Sequence, residues 1–241
     1  MALVGGCQPI EVAVPFTSAS VSAAVLAELA YPKFLIDLPT AERYRQQGLA
    51  YRQAGSLERA IAAFTIAAAL DPQNPNSYVI LGWTQHLAGH HTSAADALNL
   101  ALEQDPDLVP GLNALGIVYL VDGQLDAAVA THQRAVALKP DNEIAHYNLS
   151  LAYERLGQAE QAVAHAQTAT ALEPGNPHPW VALALAYEAQ GEATQAQTYY
   201  RQALRLDGRY QSRPYLEHLA QAGMSPDQIA TVATIQQREL P

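Results

Sequence analysis

Apolar residues recur at three- and four-residue spacing along most of this chain, and glycine and proline cut the pattern at fixed intervals. The segments ALDPQNP (69–75), EQDPDLV (103–109), ALKPDNE (137–143), ALEPGNP (171–177) and RLDGRYQ (205–211) each begin 34 residues after the last. Each ends an alanine-rich run of helical character. Proline cannot continue a helix, because it has no amide proton and its ring meets the preceding turn. A glycine midway through each interval supplies the left-handed conformation that ends a helix and reverses the chain. The pattern therefore predicts helix, glycine turn, helix and proline stop, in units 41–74, 75–108, 109–142, 143–176 and 177–210.

Counted within a unit, position 15 is always glycine: Gly55, Gly89, Gly123, Gly157 and Gly191. Position 20 is always alanine, from Ala60 to Ala196, and so is position 27, from Ala67 to Ala203. Position 8 is small throughout: Gly48, Gly82, Gly116, Ser150 and Ala184. Position 11 is tyrosine except at Gln85, position 32 is proline except at Gly208, and position 7 is leucine except at Gln47. Small residues in three columns let paired helices approach closely, and the larger side chains at 7 and 11 fill the space beside them.

These columns resemble the tetratricopeptide repeat (TPR) family over residues 41–210. The resemblance implies an all-α, right-handed solenoid, with first helices lining a concave groove and second helices forming the back. It also implies that positions 2, 5, 9, 12 and 13 of each first helix face the groove. The site residues carried over are Arg45, Leu49 and Arg52, then Val79, Trp83 and Leu87. Asn113, Ile117 and Leu120 follow, with Tyr147, Leu151, Val181 and Leu185. Most are apolar, so the expected ligand is an apolar or amphipathic segment of a protein or peptide partner. Trp83 is the expected anchor. Asn113 and Tyr147 are expected to offer hydrogen bonds to a ligand backbone. Arg45 stands where the family's carboxylate clamp has lysine, but Leu49 replaces its asparagine, so a chaperone-adaptor role is not expected.

The flanks carry further helical signals. Within residues 1–40, Ser18 or Ser20 would open a short helix through Ala30 that caps the first unit or lies in the groove, and Thr40 is the expected cap of the first repeat helix. Within 211–241, Pro214–Ala222 reads as a short helix ended by Gly223. Ser225-Pro226-Asp227-Gln228 is a capping box, and Ile229, Val232 and Ile235 follow at threefold spacing. These two helices are expected to seal the C-terminal end of the solenoid, or to mediate dimerisation. A homo-oligomer whose groove is filled by a neighbour's flanking helix is the alternative architecture.

Composition narrows the function. The 241 residues carry a formal net charge of −10, with 49% hydrophobic and 15% charged residues, enough apolar content for a packed core. That charge argues against nucleic acid and anionic lipid. Basic residues concentrate at 41–60 and glutamates at 143–200; such charges read first as a solvated surface, with the orientation of a bound segment, acidic end at the first unit, as the alternative. No apolar run is long enough to span a membrane. Val4-Gly5-Gly6-Cys7 resembles the lipobox of bacterial lipoproteins, but only six residues precede Cys7, whereas a signal core takes about 7–15. The expected location is therefore the cytoplasm, with a lipoprotein anchored at Cys7 as the alternative for a start lying upstream.

No phosphate loop, nucleophile elbow or paired cysteines occur, so no catalytic residues, metal or cofactor are expected. His86, His90 and His91 straddle Gly89 and read as turn histidines. His132 and His146 read as packing residues. The expected role is a non-enzymatic scaffold or adaptor. By analogy with the family, it would be an assembly factor for a larger complex, or an accessory subunit of a separate enzyme.

Overall fold

The structure, a computed structural model, describes residues 35–239. The chain divides between Leu35 and Ile36, and every element named below belongs to the second unit. The expectations for Cys7 and for a cap helix through Ala30 fall outside the described residues.

Ten helices form five antiparallel pairs: α1 (Leu38–Gln53) with α2 (Leu57–Leu70), α3 (Pro75–Leu87) with α4 (His91–Gln104), α5 (Val109–Val121) with α6 (Leu125–Leu138), α7 (Glu143–Arg155) with α8 (Ala159–Leu172), and α9 (Pro177–Ala189) with α10 (Ala193–Leu206). A 3-10 turn (Gly208–Gln211), a four-residue helix α11 (Arg213–Leu216), a second 3-10 turn (Glu217–Ala220) and α12 (Pro226–Glu239) follow. Among the described residues there is no strand.

The helix ends have local causes. Gly55, Gly89, Gly123, Gly157 and Gly191 all have positive φ, between 71° and 81°. An L side chain there would cost about 1–2 kcal/mol, which accounts for the glycine column. Asn74, Asn142 and Asn176 accept amide protons from the first turns of α3, α7 and α9. The first helix begins earlier than expected. Asp37, not Thr40, is its cap, and it accepts the Thr40 amide at 3.0 Å. Thr40 lies within the first turn.

The small columns set how closely the two helices of a pair approach. A Cβ on Gly48 would lie 2.6 Å from Phe64, one on Gly82 2.7 Å from Leu98, and one on Gly116 2.4 Å from His132. Phe64, Leu98 and His132 all occupy position 24 of their units. Where position 24 shrinks to Ala166, position 8 is the slightly larger Ser150. The alanines at positions 20 and 27 are fully buried in every pair. Each helix packs on the next along the chain, and α3, α5, α7 and α9 also lie side by side. That row of first helices makes the inner face.

His132 is fully buried against Gly116, and His146 pairs its Nδ1 with Nδ1 of His165 at 2.9 Å. Both are packing residues. Among the described residues neither ring nitrogen of His132 has a hydrogen-bond partner. Burial pushes its pKa down to about 3, so it is neutral in the folded chain.

Candidate functional site

The inner face has two parts. Its first part is formed by α1, α3 and the near side of α5. Val79 and Trp83 are partly buried, resting on a floor of Ala94, Leu98, Ala114, Leu115 and Val118. Leu49 rests in the same way on Ala60, Phe64 and Leu81. Leu87 and Val121 are exposed, and Ile117 is partly covered. The Trp83 ring lies 5.1 Å from the imidazole of His86, which in turn lies 5.3 Å from that of His91. Burial, and then the neighbouring His91, push His86 down to about 4, so it is a neutral wall of this surface near neutral pH. Arg52 holds its guanidinium 6.0 Å from the Phe64 ring centroid.

Two polar residues expected to meet a ligand are already engaged within the chain. Arg45 donates to Glu42 at 2.8 Å, Asp71 at 3.0 Å and Ser77 Oγ at 3.1 Å, tying α1 to the corner between α2 and α3. Asn113 and Asn142 exchange side-chain amide bonds of 3.2 and 2.9 Å. Asn142 also caps α7, so this pair fixes the junction between α5 and α7. Both residues thus hold the inner face in place through bonds within the chain.

The second part of the inner face is covered. Leu120, Leu151, Val181 and Leu185 are fully buried. They share one core with Leu216, Leu219, Met224, Val232 and Ile235, and Tyr147 belongs to the same cluster. The chain's own C-terminal segment supplies this cover. Gly223, at φ 90°, brings its backbone against Leu120 and Leu151. Gln228 donates to the Leu151 carbonyl at 3.1 Å and to Glu154 Oε2 at 2.7 Å. Arg238 forms an ion pair with Glu188 at 2.7 Å. Gln236 donates to the Tyr210 carbonyl at 2.7 Å. Helix α12 thus packs on α9 and α10 of the last pair, while its first turn and the residues before it reach α7 and α5. Its capping box closes as the sequence predicts, with Ser225 N donating to Gln228 Oε1 at 2.9 Å and the return bond at 3.3 Å.

Burial has electrostatic consequences here. The Glu154 carboxyl is held above the ordinary carboxylate range by burial, offset by the Gln228 amide. Glu143 is raised to about 7 by burial and by the nearby Glu173 carboxylate. The Tyr147 hydroxyl is buried without a hydrogen-bond partner among the described residues. Tyr210 brings two histidines together: its hydroxyl lies 3.0 Å from His178 Nδ1 and 3.4 Å from His218 Nε2. Among the described residues no group of three or more His, Cys, Asp or Glu is arranged to hold a metal, and no helix is long and apolar enough to cross a membrane.

Repeating helix pairs with glycine turns and alanine seams match known family models along most of the described chain. Models described as "Tetratricopeptide repeat" match residues 45–109 and 155–213, and one described as "TPR repeat" matches 122–157. The chain belongs to the tetratricopeptide repeat family.

Solved TPR structures share this helical solenoid. A crystal structure of MamA protein is 26% identical, with a TM-score of 0.60 over 70% of this chain and 93% of that one. TTC0263, a thermophilic TPR protein of Thermus thermophilus, is 22% identical, with a TM-score of 0.61 over 81% and 98%. YrrB, described as a TPR protein with an unusual peptide-binding site, is 21% identical, with a TM-score of 0.55 over 68% and 85%. No curated protein matches the sequence. As a TPR protein, the chain is a protein–protein interaction scaffold.

Of the residues the TPR position rule picks, Leu87 is exposed and Leu49, Val79, Trp83 and Ile117 are partly buried, while Leu120, Tyr147, Leu151, Val181 and Leu185 are buried in the core shared with α12 and the turns before it. Residues that the rule does not reach are Gln228, Gln236 and Arg238. Their sequence signal was the capping box and the threefold apolar spacing, which show an amphipathic helix without showing where it docks.

Proposed function

We propose that this TPR protein is a non-enzymatic adaptor that holds an apolar or amphipathic segment of a partner protein on the open part of its inner face. One observation carries the reading: on first helices beside the covered half, Leu87 and Val121 are 43% and 39% exposed, and Val79, Trp83 and Ile117 are only partly buried. Apolar patches of this kind mark interaction sites. YrrB, of the same fold, is described with a peptide-binding site, which supports the class of ligand. The net charge of −10 favours a protein partner over nucleic acid. Arg52 at one end of the surface favours a segment whose acidic end points toward the first helix pair.

The test is co-purification of a partner on the full chain, followed by affinity measurement with Trp83→Ala. The expected result is at least a tenfold loss of affinity, about 1.4 kcal/mol, with a smaller loss of folding stability. A variant that melts far lower, yet binds the partner normally through its folded fraction, would make Trp83 a core residue and overturn the assignment.

A further inference from the structure

The covered half of the groove shows what kind of ligand the inner face accepts, because one is already seated there. Helix α12 contributes none of the glycine and alanine columns that lock the five pairs together. It docks instead on α9 and α10 through its apolar face: Val232 and Ile235, three residues apart, are fully buried in the core that holds Leu185. Gln228 reaches a main-chain carbonyl and a carboxylate, and Arg238 reaches Glu188.

The contact also carries polar groups and a crevice. Gln228 and Gln236 are both 2% exposed, so two amides are buried in this one interface. The Tyr147 hydroxyl in the same cluster has no partner among the described residues. A crevice of about 250 Å³ separates α11 from α12, between Leu216, Ala220, Ile229 and Ala233. The connection from α10 consists of two 3-10 turns and a four-residue helix, anchored on the last pair where Tyr200 donates to the Tyr210 carbonyl at 2.8 Å. Such polar, imperfectly filled interfaces are those that open without unfolding what lies beneath them.

We propose that the surface formed by α7, α9 and α10, bordered by α5 at Leu120, is a second helix-binding site, occupied in cis by residues 223–238, and that a partner helix of the same chemistry displaces them. That partner is an amphipathic helix with a glutamine-like amide near its start, two aliphatic residues three apart, and an arginine three residues beyond the second. It runs from the α5 side toward α9, so that its basic end meets Glu188. The proposal rests on reading the inner face as the binding face. Its test uses a different ligand and the other half of the groove from the Trp83 experiment, so either can fail without the other.

The probe is a fluorescein-labelled peptide of residues 221–239, added to the full chain and to the full-chain double variant Gln228→Ala/Arg238→Ala. Hydrogen exchange is followed in parallel. A site masked by its own helix shows an apparent affinity reduced by the fraction open. The expected result is that α12 amides of the double variant exchange at least tenfold faster than those of α9, and that the peptide binds this variant at least tenfold more tightly than the wild type. A peptide with Arg238 replaced by alanine should bind the double variant severalfold more weakly. Adding Glu188→Gln to the double variant should abolish that difference between the two peptides, since Glu188 acts through the arginine.

Three results would overturn the proposal. The first is α12 exchanging at the rate of α9 in both proteins, which makes it permanent core. The second is a loosened α12 with no uptake of peptide. The third is a variant that dimerises by exchanging its own helix and excludes the peptide, which makes the site a contact between copies.

Discussion

The two halves of the inner face are built from the same repeat columns and have opposite fates. In the first half, Leu87 stands in solvent at 43% exposure. In the second half, Leu185 is completely enclosed. Both belong to first helices, at positions 13 and 9, and both were candidates for ligand contact on the same rule. Leu185 is covered by α12 and the turns before it, whereas position 13 at the helix end is exposed in both halves, Ala189 like Leu87. A repeat scaffold therefore does not present a uniform surface, even where its repeats are uniform, because a flanking segment decides which stretch remains available.

The largest effect should come from deleting side chains on the two sides of this divide. Leu185→Ala removes a side chain enclosed by α9, α12 and the turns before it, and should cost about 2–5 kcal/mol of folding stability by chemical denaturation. Leu87→Ala should change stability by no more than about 0.5 kcal/mol while weakening partner binding. Equal losses from the two would erase the distinction between the halves.

Acid probes the boundary between them. His132 lies in α6, behind the helix that contributes to both halves. In the unfolded chain it takes up a proton near pH 6.5, whereas burial delays this to about pH 3 in the folded one. Its contribution is therefore fully present above pH 6.5 and is lost as pH falls from there toward 3, at up to about 1.4 kcal/mol per pH unit. Denaturation midpoints between pH 7 and 5 should show this slope, and His132→Leu should flatten it. An unchanged slope in the variant would assign the acid sensitivity to other groups, among them His86 and His178, whose pKa values burial also lowers.

The smallest effect belongs to the covered half alone. Arg238→Ala breaks the ion pair with Glu188, in which both side chains remain partly exposed, and should cost about 0.5–1 kcal/mol. That loss should shrink at high salt. A loss of several kcal/mol would show that the end of α12 is as firmly fixed as the repeats.

The helix pairs were legible because their signals are steric and local. A glycine at positive φ and an alanine in a close seam each have one physical cause, repeated at a fixed interval. The cap of α1 was misplaced by three residues because Asp37 and Thr40 are both good capping residues, and only the backbone distinguishes them. The groove was legible as a face but not as an accessible surface. Arg45 meets Asp71 across 26 positions, and Asn113 meets Asn142 across 29. Gln228 reaches Leu151 across 77. Contacts that distant leave no local pattern. The threefold spacing in α12 announced an apolar face, and the stripe from Leu120 to Leu185 announced another. Nothing in one sequence says that the two belong to each other.

The close fit between positions 8 and 24 has a consequence for how this chain can change over time. Gly116 admits the His132 ring only because it has no side chain, and the next pair sets Ser150 against Ala166. Gly48, Gly82 and Gly116 cannot gain a side chain unless Phe64, Leu98 or His132 moves, whereas the last pair accommodates Ala184 with Tyr200. Whole units can be duplicated or exchanged, since each carries both halves of its own fit, whereas recombination that joins the first helix of one unit to the second of another should fail wherever the couples differ in size.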